Sequence, residues 1–339
     1  MRTVAKSAIA WLAILFSVCQ PFPALAGYAE EYNRQFRFDA DSNSKKQRVI
    51  DFPKAASLGE IIISITPGSG RDGHCLSGAA RGQVTVPAKR FVTFIPAHRF
   101  YKDPSIVKTL PSDSVDTLVL SVCSMDDSED GMCDRALAVV GHLTSIIELC
   151  LDNSDATDSA VLHTAEFPNL QRFSAIACAL DGRCLKAFAG LKKLRCMSMQ
   201  GNHIADKNIQ YLGNIQHLEY FDISNNQISD AGVAGLAGCS RLVRLKLSGN
   251  RDITDRSIAT LSALKTLRYL QLGGTQITGK GVLRLQGLKL KQLELPDTVY
   301  PGPVLNQIRK AFPDTAITSS SSKTLMPDAR TRDLYAPLH

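Results

Sequence analysis

Two stretches of this chain set side chains where chemistry is conceivable. Gly73-His74-Cys75 puts an imidazole beside a thiol after the glycine-rich run 67–73, the base and nucleophile that a hydrolase or transferase would use. Adjacent residues seldom face each other at hydrogen-bonding distance, so the expectation is a loop and not a catalytic pair. In the acidic stretch 126–134, Asp126, Ser128, Asp130, Gly131 and Asp134 fall at positions 1, 3, 5, 6 and 9 of a calcium loop. Position 12 calls for a bidentate glutamate and is Leu137, so a solvated acidic loop is expected there, with no metal. The glycine-rich run lacks the Gly-Lys-Ser/Thr ending of a phosphate loop, and Gly-x-Ser-x-Gly, His-Glu-x-x-His and Cys-x-x-Cys do not occur. His142, His163, His203 and His217 share no common spacing that would make a ligand set. The chain is read as a non-enzyme that needs no cofactor.

The elements that would position any site announce themselves by periodicity. Six segments ending at Cys178, Asn202, Asn226, Asn250, Thr275 and Thr298 repeat one pattern. It runs apolar, two others, apolar, one other, apolar, two others, then the anchor. Asn202 to Asn226 to Asn250 is 24 residues each time, and the next steps are 25 and 23. Earlier units at 115–123 and 146–154 lie 31 residues apart, which implies an insertion of seven, and Val92-x-Phe94 opens the series. A fixed period in the twenties with leucine at most marks predicts an α/β leucine-rich-repeat solenoid. Such a horseshoe lines its concave face with a parallel sheet and its convex face with helices.

Within a repeat the roles follow from spacing. Leu245 and Leu247, like Phe221 and Ile223, alternate inward on a short strand while the residues between face outward. The asparagines turn the chain out of the strand. Ile228-Ser229-Asp230 and Ile253-Thr254-Asp255 then carry helix N-cap signals, followed by apolar residues at three-residue spacing. The outward strand positions form two rows. One reads Glu148, Arg172, Cys196, Tyr220, Arg244, Tyr269, Gln292; the other reads Cys150, Ser174, Ser198, Asp222, Lys246, Gln271, Glu294. Tyrosine and arginine most often anchor interfaces, and an arginine between two tyrosines can stack on both. Tyr220, Asp222, Arg244, Lys246, Arg268 and Tyr269 are therefore the candidate partner-binding residues.

Register also constrains the cysteines. Cys239 stands where Ile215 and Leu264 stand, a buried helix position, and Cys123 and Cys178 stand at the asparagine position. Buried single thiols behave as small hydrophobes. Cys150 and Cys196 are too far apart to bridge, which leaves Cys123–Cys133 and Cys178–Cys184 as credible local disulfides.

The continuation Ile228-Ser229-Asp230-Ala231-Gly232-Val233, with cysteine at some asparagine positions, resembles the cysteine-containing leucine-rich repeats of F-box substrate receptors and many bacterial proteins. The lead-in Ala79-Ala80-Arg81-Gly82-Gln83-Val84-Thr85-Val86-Pro87 resembles that of exported bacterial proteins with such repeats. The resemblance covers roughly 58–312 and implies a binding scaffold. No F-box-like segment precedes the repeats.

An export signal stands there instead. Arg2 and Lys6, the apolar run 8–18 and Ala24-Leu25-Ala26 before Gly27 make a cleavable signal peptide over 1–26. Beyond it we expect a polar lead-in at 27–57, a β-containing cap at 58–111, repeats at 112–313 with a closing helix at 304–312, and a flexible tail at 314–339. Hydrophobic residues at 44% and charged residues at 21% leave ample material for a core. The net charge of +7 is unevenly spread. Stretch 112–166 holds 12 acids and one base, whereas 241–295 holds 11 bases and three acids.

The expectation is thus an exported, monomeric, non-catalytic protein, periplasmic or extracellular, that binds a protein or glycan on its concave face. No nucleic-acid partner and no transmembrane segment in the mature chain are expected. The alternatives are an effector-like substrate receptor of a ubiquitin-ligase pathway and, behind it, an enzyme using the His74–Cys75 loop.

Overall fold

The structure, a computed structural model, describes residues 46–67, 75–121, 131–299 and 303–319. The expected signal peptide, His74, Cys123, most of the acidic insertion and residues 320–339 lie outside the described residues.

Alternating burial drives a stack of short strands. In order these are β1 (Arg48–Asp51), β2 (Gly59–Ser64), β3 (Leu76–Ala79), β4 (Gln83–Val86), β5 (Phe91–Pro96), β6 (Thr117–Val119) and β7 (Glu148–Cys150). There follow β8 (Arg172–Ser174), β9 (Cys196–Ser198), β10 (Tyr220–Asp222), β11 (Arg244–Lys246), β12 (Tyr269–Gln271), β13 (Gln292–Leu295) and β14 (Ala316–Ser319). Among the described residues, β1 and β4 form a small antiparallel pair and the other strands form one sheet of 12. From β5 to β14 every pairing in that sheet is parallel and joins consecutive strands. The middle residue of each three-residue strand from β6 to β12, Phe173, Met197, Phe221, Leu245 and Leu270 among them, is fully buried. Each such side chain contributes about 1.5–3 kcal/mol.

At the front, β2 lies antiparallel between β3 and β5, so the sheet continues past the first repeat. Within the expected lead-in, residues 48–51 form the strand β1, tied to that repeat by charge. Arg48 Nη2 donates to Asp116 Oδ2 at 2.7 Å, both groups being buried, and the same carboxylate oxygen accepts the Val92 amide. At the back, the expected tail does not begin at 314. Helix Pro303–Ala311 closes the stack, and β14 pairs with β13 in register Leu293↔Ile317.

The turns after the strands bury amides that have no strand partner, and the asparagines satisfy them. Asn202 Oδ1 accepts the Cys178 and Leu180 amides at 3.0 Å each, while its Nδ2 donates to the carbonyls of Ala175 (2.7 Å) and Met199 (3.0 Å). Asn226 and Asn250 repeat this one and two turns later. Cys178 takes the same place and its thiol donates to Leu151 O at 3.0 Å. The residue before each anchor from Ser154 to Thr275 is left-handed. This conformation suits Gly201, Gly249 and Gly274, is tolerated by Asn153 and Asn225, and is adopted by Ala177 at φ 55°.

A second column runs along the helix N-termini. The aspartate opening one repeat's helix accepts hydrogen bonds from the N-cap residue of the next. Asp134 pairs with Thr157, Asp206 with Ser229, Asp230 with Thr254 and Asp255 with Thr278, in each case through amide and hydroxyl together. In between, Asp158 accepts the amides of Asp181, Gly182 and Cys184 with no hydroxyl donor, and one repeat later Gly182 supplies no carboxylate and Ala205 no hydroxyl. Asp134, the ninth position of the suspected calcium loop, is thus engaged with Thr157. The carboxylates also explain two glycines. A Cβ on Gly232 would overlap Asp206, and one on Gly281 would sit 2.7 Å from Asp255 Cγ.

Glycine to alanine inside a helix ordinarily stabilises by up to about 1 kcal/mol. Gly281→Ala is expected to reverse that sign and destabilise by about 1–3 kcal/mol, because Thr278 holds the carboxylate in place. Gly287→Ala, with nothing within 4 Å of its Cβ, should be neutral or stabilising. Urea unfolding of the two variants checks the contrast, and equal midpoints would contradict it.

Candidate binding face

The strand registers bring the first predicted row together. Pairing sets Glu148 beside Arg172, then Cys196, Tyr220, Arg244, Tyr269 and Gln292 in sequence. The Arg244 guanidinium carbon lies 4.1 Å from the Tyr269 ring centroid and 5.9 Å from that of Tyr220. An arginine held over aromatic faces gains about 0.5–1 kcal/mol, and more when desolvated. Three half-buried side chains on three adjacent strands therefore present a stacked aromatic–cation surface.

The second row departs from expectation. Spacing makes Asp222 and Lys246 candidates for partner contact, yet they are only 4% and 6% exposed. Their own ion pair explains it. Lys246 Nζ lies 3.4 Å from Asp222 Oδ2 and 5.7 Å from the Tyr220 centroid, and the Tyr220 hydroxyl donates to Asp222 at 3.4 Å. The pair is almost fully enclosed and contacts both the ring and the hydroxyl of Tyr220. Arg268 is not in the row either: its Nη1 donates to the carbonyls of Lys265 (3.0 Å) and Leu267 (2.7 Å) in the turn leading into β12.

Other polar groups line the same face. Arg172 Nη1 meets Glu148 Oε1 at 3.1 Å, and Cys196 is fully buried between the flanking strands. Glu294, which sequence reasoning put in a row but not among the site residues, accepts from Ser248 Oγ at 3.1 Å across the glycine step of the intervening repeat. The signal for it was available: Gly273-Gly274 removes side chains that would block such a reach.

Neither chemistry-bearing stretch assembles a site among the described residues. Cys75 is half-buried, and its sequence neighbour His74 lies outside them. Cys178 and Cys184 are separate thiols, which corrects the suggested disulfide: one is spent on Leu151 O, and burial pushes both thiols above the usual range. Burial likewise lifts the Cys239 thiol to about 12, consistent with its place in the core. An open basin of about 430 Å³ on the cap, lined by His98, Arg99, Lys102 and Asp103, holds none of the predicted site residues. No group of three or more metal-ligating side chains occurs among the described residues.

Residues 214–237 and 263–285 match the family model of the leucine-rich repeat, and they contain Tyr220 and Tyr269 respectively. The fold is a leucine-rich-repeat solenoid. Among solved structures the chain is similar to internalin C2 of Listeria monocytogenes, at 24% identity and a TM-score of 0.41, over 53% of this chain and 71% of that one. It is also similar to another Listeria monocytogenes internalin at 19% identity and a TM-score of 0.45, over 66% and 71%. A leucine-rich-repeat protein of Leptospira interrogans matches at 19% identity and a TM-score of 0.42, over 64% and 56%. No curated protein sequence matches the chain.

Burial raises the Glu294 carboxyl above the usual glutamate range, outweighing the Ser248 hydroxyl, the Gly273 amide and Lys246, which all favour the anion. The folded chain therefore keeps this proton to higher pH than the unfolded chain, and stability falls as pH rises through the folded value. Glu294→Gln keeps the acceptor oxygen and removes the charge. It is expected to stabilise the repeats at about pH 7 and to change nothing at about pH 3.5. Urea unfolding at the two pH values decides; a variant weaker than wild type at neutral pH would refute the burial argument.

Proposed function

We propose that this chain is an exported, non-catalytic binding protein that takes a protein or glycan partner on the concave face of its repeats. The observation that carries this reading is the Tyr220–Arg244–Tyr269 stack, three anchor-type side chains on adjacent strands with the guanidinium over both rings. The buried Asp222–Lys246 pair beside it supports the reading, because a fixed tyrosine loses less freedom on binding. The cysteine-containing repeat type is favoured by Cys178, whose thiol stands in for an anchor asparagine, and by Cys239 in the core. Among the described residues no helix is long and apolar enough to cross a membrane.

The triple variant Tyr220→Ala, Arg244→Ala, Tyr269→Ala is expected to lose partner capture from envelope and host-cell extracts. Its circular dichroism and urea midpoint should stay near those of the wild type. Each anchor is worth about 2 kcal/mol or more, so their joint loss exceeds a hundredfold in affinity. Quantitative mass spectrometry of the captured proteins and glycans is the measurement. An unchanged captured set from a folded variant removes this patch.

A further inference from the structure

The turns leading into β9 to β13 carry a charge pattern that the concave row does not use. Segments 192–195, 216–219, 240–243, 265–268 and 289–291 hold eight lysines and arginines and one carboxylate, Glu219. The turns leaving the strands, 200–203, 224–227, 248–252 and 273–276, hold one base, Arg251, beside one acid, Asp252. The leading turns 144–147 and 168–171 of the earlier repeats hold no lysine or arginine. Basic residues thus gather on one rim, toward one end of the solenoid.

Backbone hydrogen bonds put this rim in register. The Arg195 carbonyl accepts from Glu219 and Tyr220, that of Glu219 from Val243 and Arg244, that of Val243 from Arg268 and Tyr269, and that of Arg268 from Lys291 and Gln292. One step further out, Lys193 Nζ donates to Asn169 Oδ1 at 2.8 Å, and Arg241 Nη1 lies 3.4 Å from His217 Nδ1. These are contacts between exposed groups and contribute little to stability. The intervening Leu194, Leu218, Leu242 and Leu267 point into the core with no exposure. What faces solvent is a strip two side chains wide, polar except for the half-buried Val243 and, at about 4.8 Å per strand step, roughly 20 Å long.

We propose that this rim binds a linear anionic glycan whose sulfate, phosphate or carboxylate groups run along the stacking direction. A row of like charges repels itself, and an opposite polymer relieves that repulsion while releasing its own condensed counterions. The strip suits a chain better than a bilayer. Peripheral membrane binding buries large apolar groups beside the basic ones, and here the leucines are turned inward, leaving only the half-buried Val243. Arg268, out of place on the concave row, belongs to this surface. The rim is a separate surface from the aromatic row, so the two readings can fail independently.

The test titrates the full chain with a heparin oligosaccharide across a salt series. Lys193→Gln, Arg241→Gln, Lys265→Gln and Lys289→Gln change four exposed side chains together. They are expected to weaken binding by about tenfold or more and to flatten its salt dependence. A charge-matched control, Lys207→Gln, Arg256→Gln, Lys280→Gln and Arg284→Gln on the helical side, should keep wild-type affinity, as should the Tyr220, Arg244, Tyr269 triple variant. Equal weakening in rim and control variants would reduce the effect to net charge and overturn the proposal. So would no binding by the wild type at low salt. Equally tight, rim-dependent binding to phosphatidylglycerol vesicles or single-stranded DNA would also overturn it.

Discussion

A strand of three residues cannot satisfy the backbone on either side of it, and everything else in this solenoid follows from how that deficit is met. The chain leaves each strand through a turn whose amides point into the protein interior. An unpaired buried amide costs about 1–3 kcal/mol, and one such turn occurs in every repeat. The anchor side chain answers the deficit by reaching across a repeat boundary. Asn202, Asn226 and Asn250 each accept amides from the repeat before and donate to carbonyls in both repeats. A repeat is therefore incomplete without its neighbour, which is what makes the stack a single cooperative unit.

The aspartate column does on the helical side what the asparagines do on the turn side. Burial alone would lift the Asp230 carboxyl, but donors from Ser257 and Thr254 outweigh it and hold the group below the usual aspartate range. The column is at full strength only where these groups are ionised. Two columns at different radii fix both the rise and the rotation between repeats, and with them the strand register. That register sets Arg244 between Tyr220 and Tyr269, and it stacks the basic turns along one rim. Both proposed surfaces are consequences of the same lattice of side-chain hydrogen bonds.

Much of this could be read from residue types. The inward strand positions, the anchor asparagines and the packing role of Cys239 follow from spacing because burial is dictated by period. The outward row was legible for the same reason. What could not be read is how far a side chain reaches. Asp222 and Lys246 face outward by period, yet their ion pair and the Tyr220 ring enclose them. Asp230 looks like part of its own helix cap, while its partners lie in the following repeat. The left-handed position before the anchors from Ser154 to Thr275 is hidden because Ala177, Asn153 and Asn225 alternate there with glycine. Strand β14 was missed because Ala-Ile-Thr-Ser carries none of the leucine marks and follows a proline turn.

Amide hydrogen exchange tests the asparagine lattice most directly. The amides of Leu180, Ile204 and Ile228 lie in turns, and the side chains of Asn202, Asn226 and Asn250 respectively accept their hydrogen bonds. If those side chains bind the repeats into one cooperative unit, these amides exchange only through global unfolding, as slowly as the amides of β10 and β11. Exchange at the rate of an open surface loop, with the strands still protected, would contradict the account.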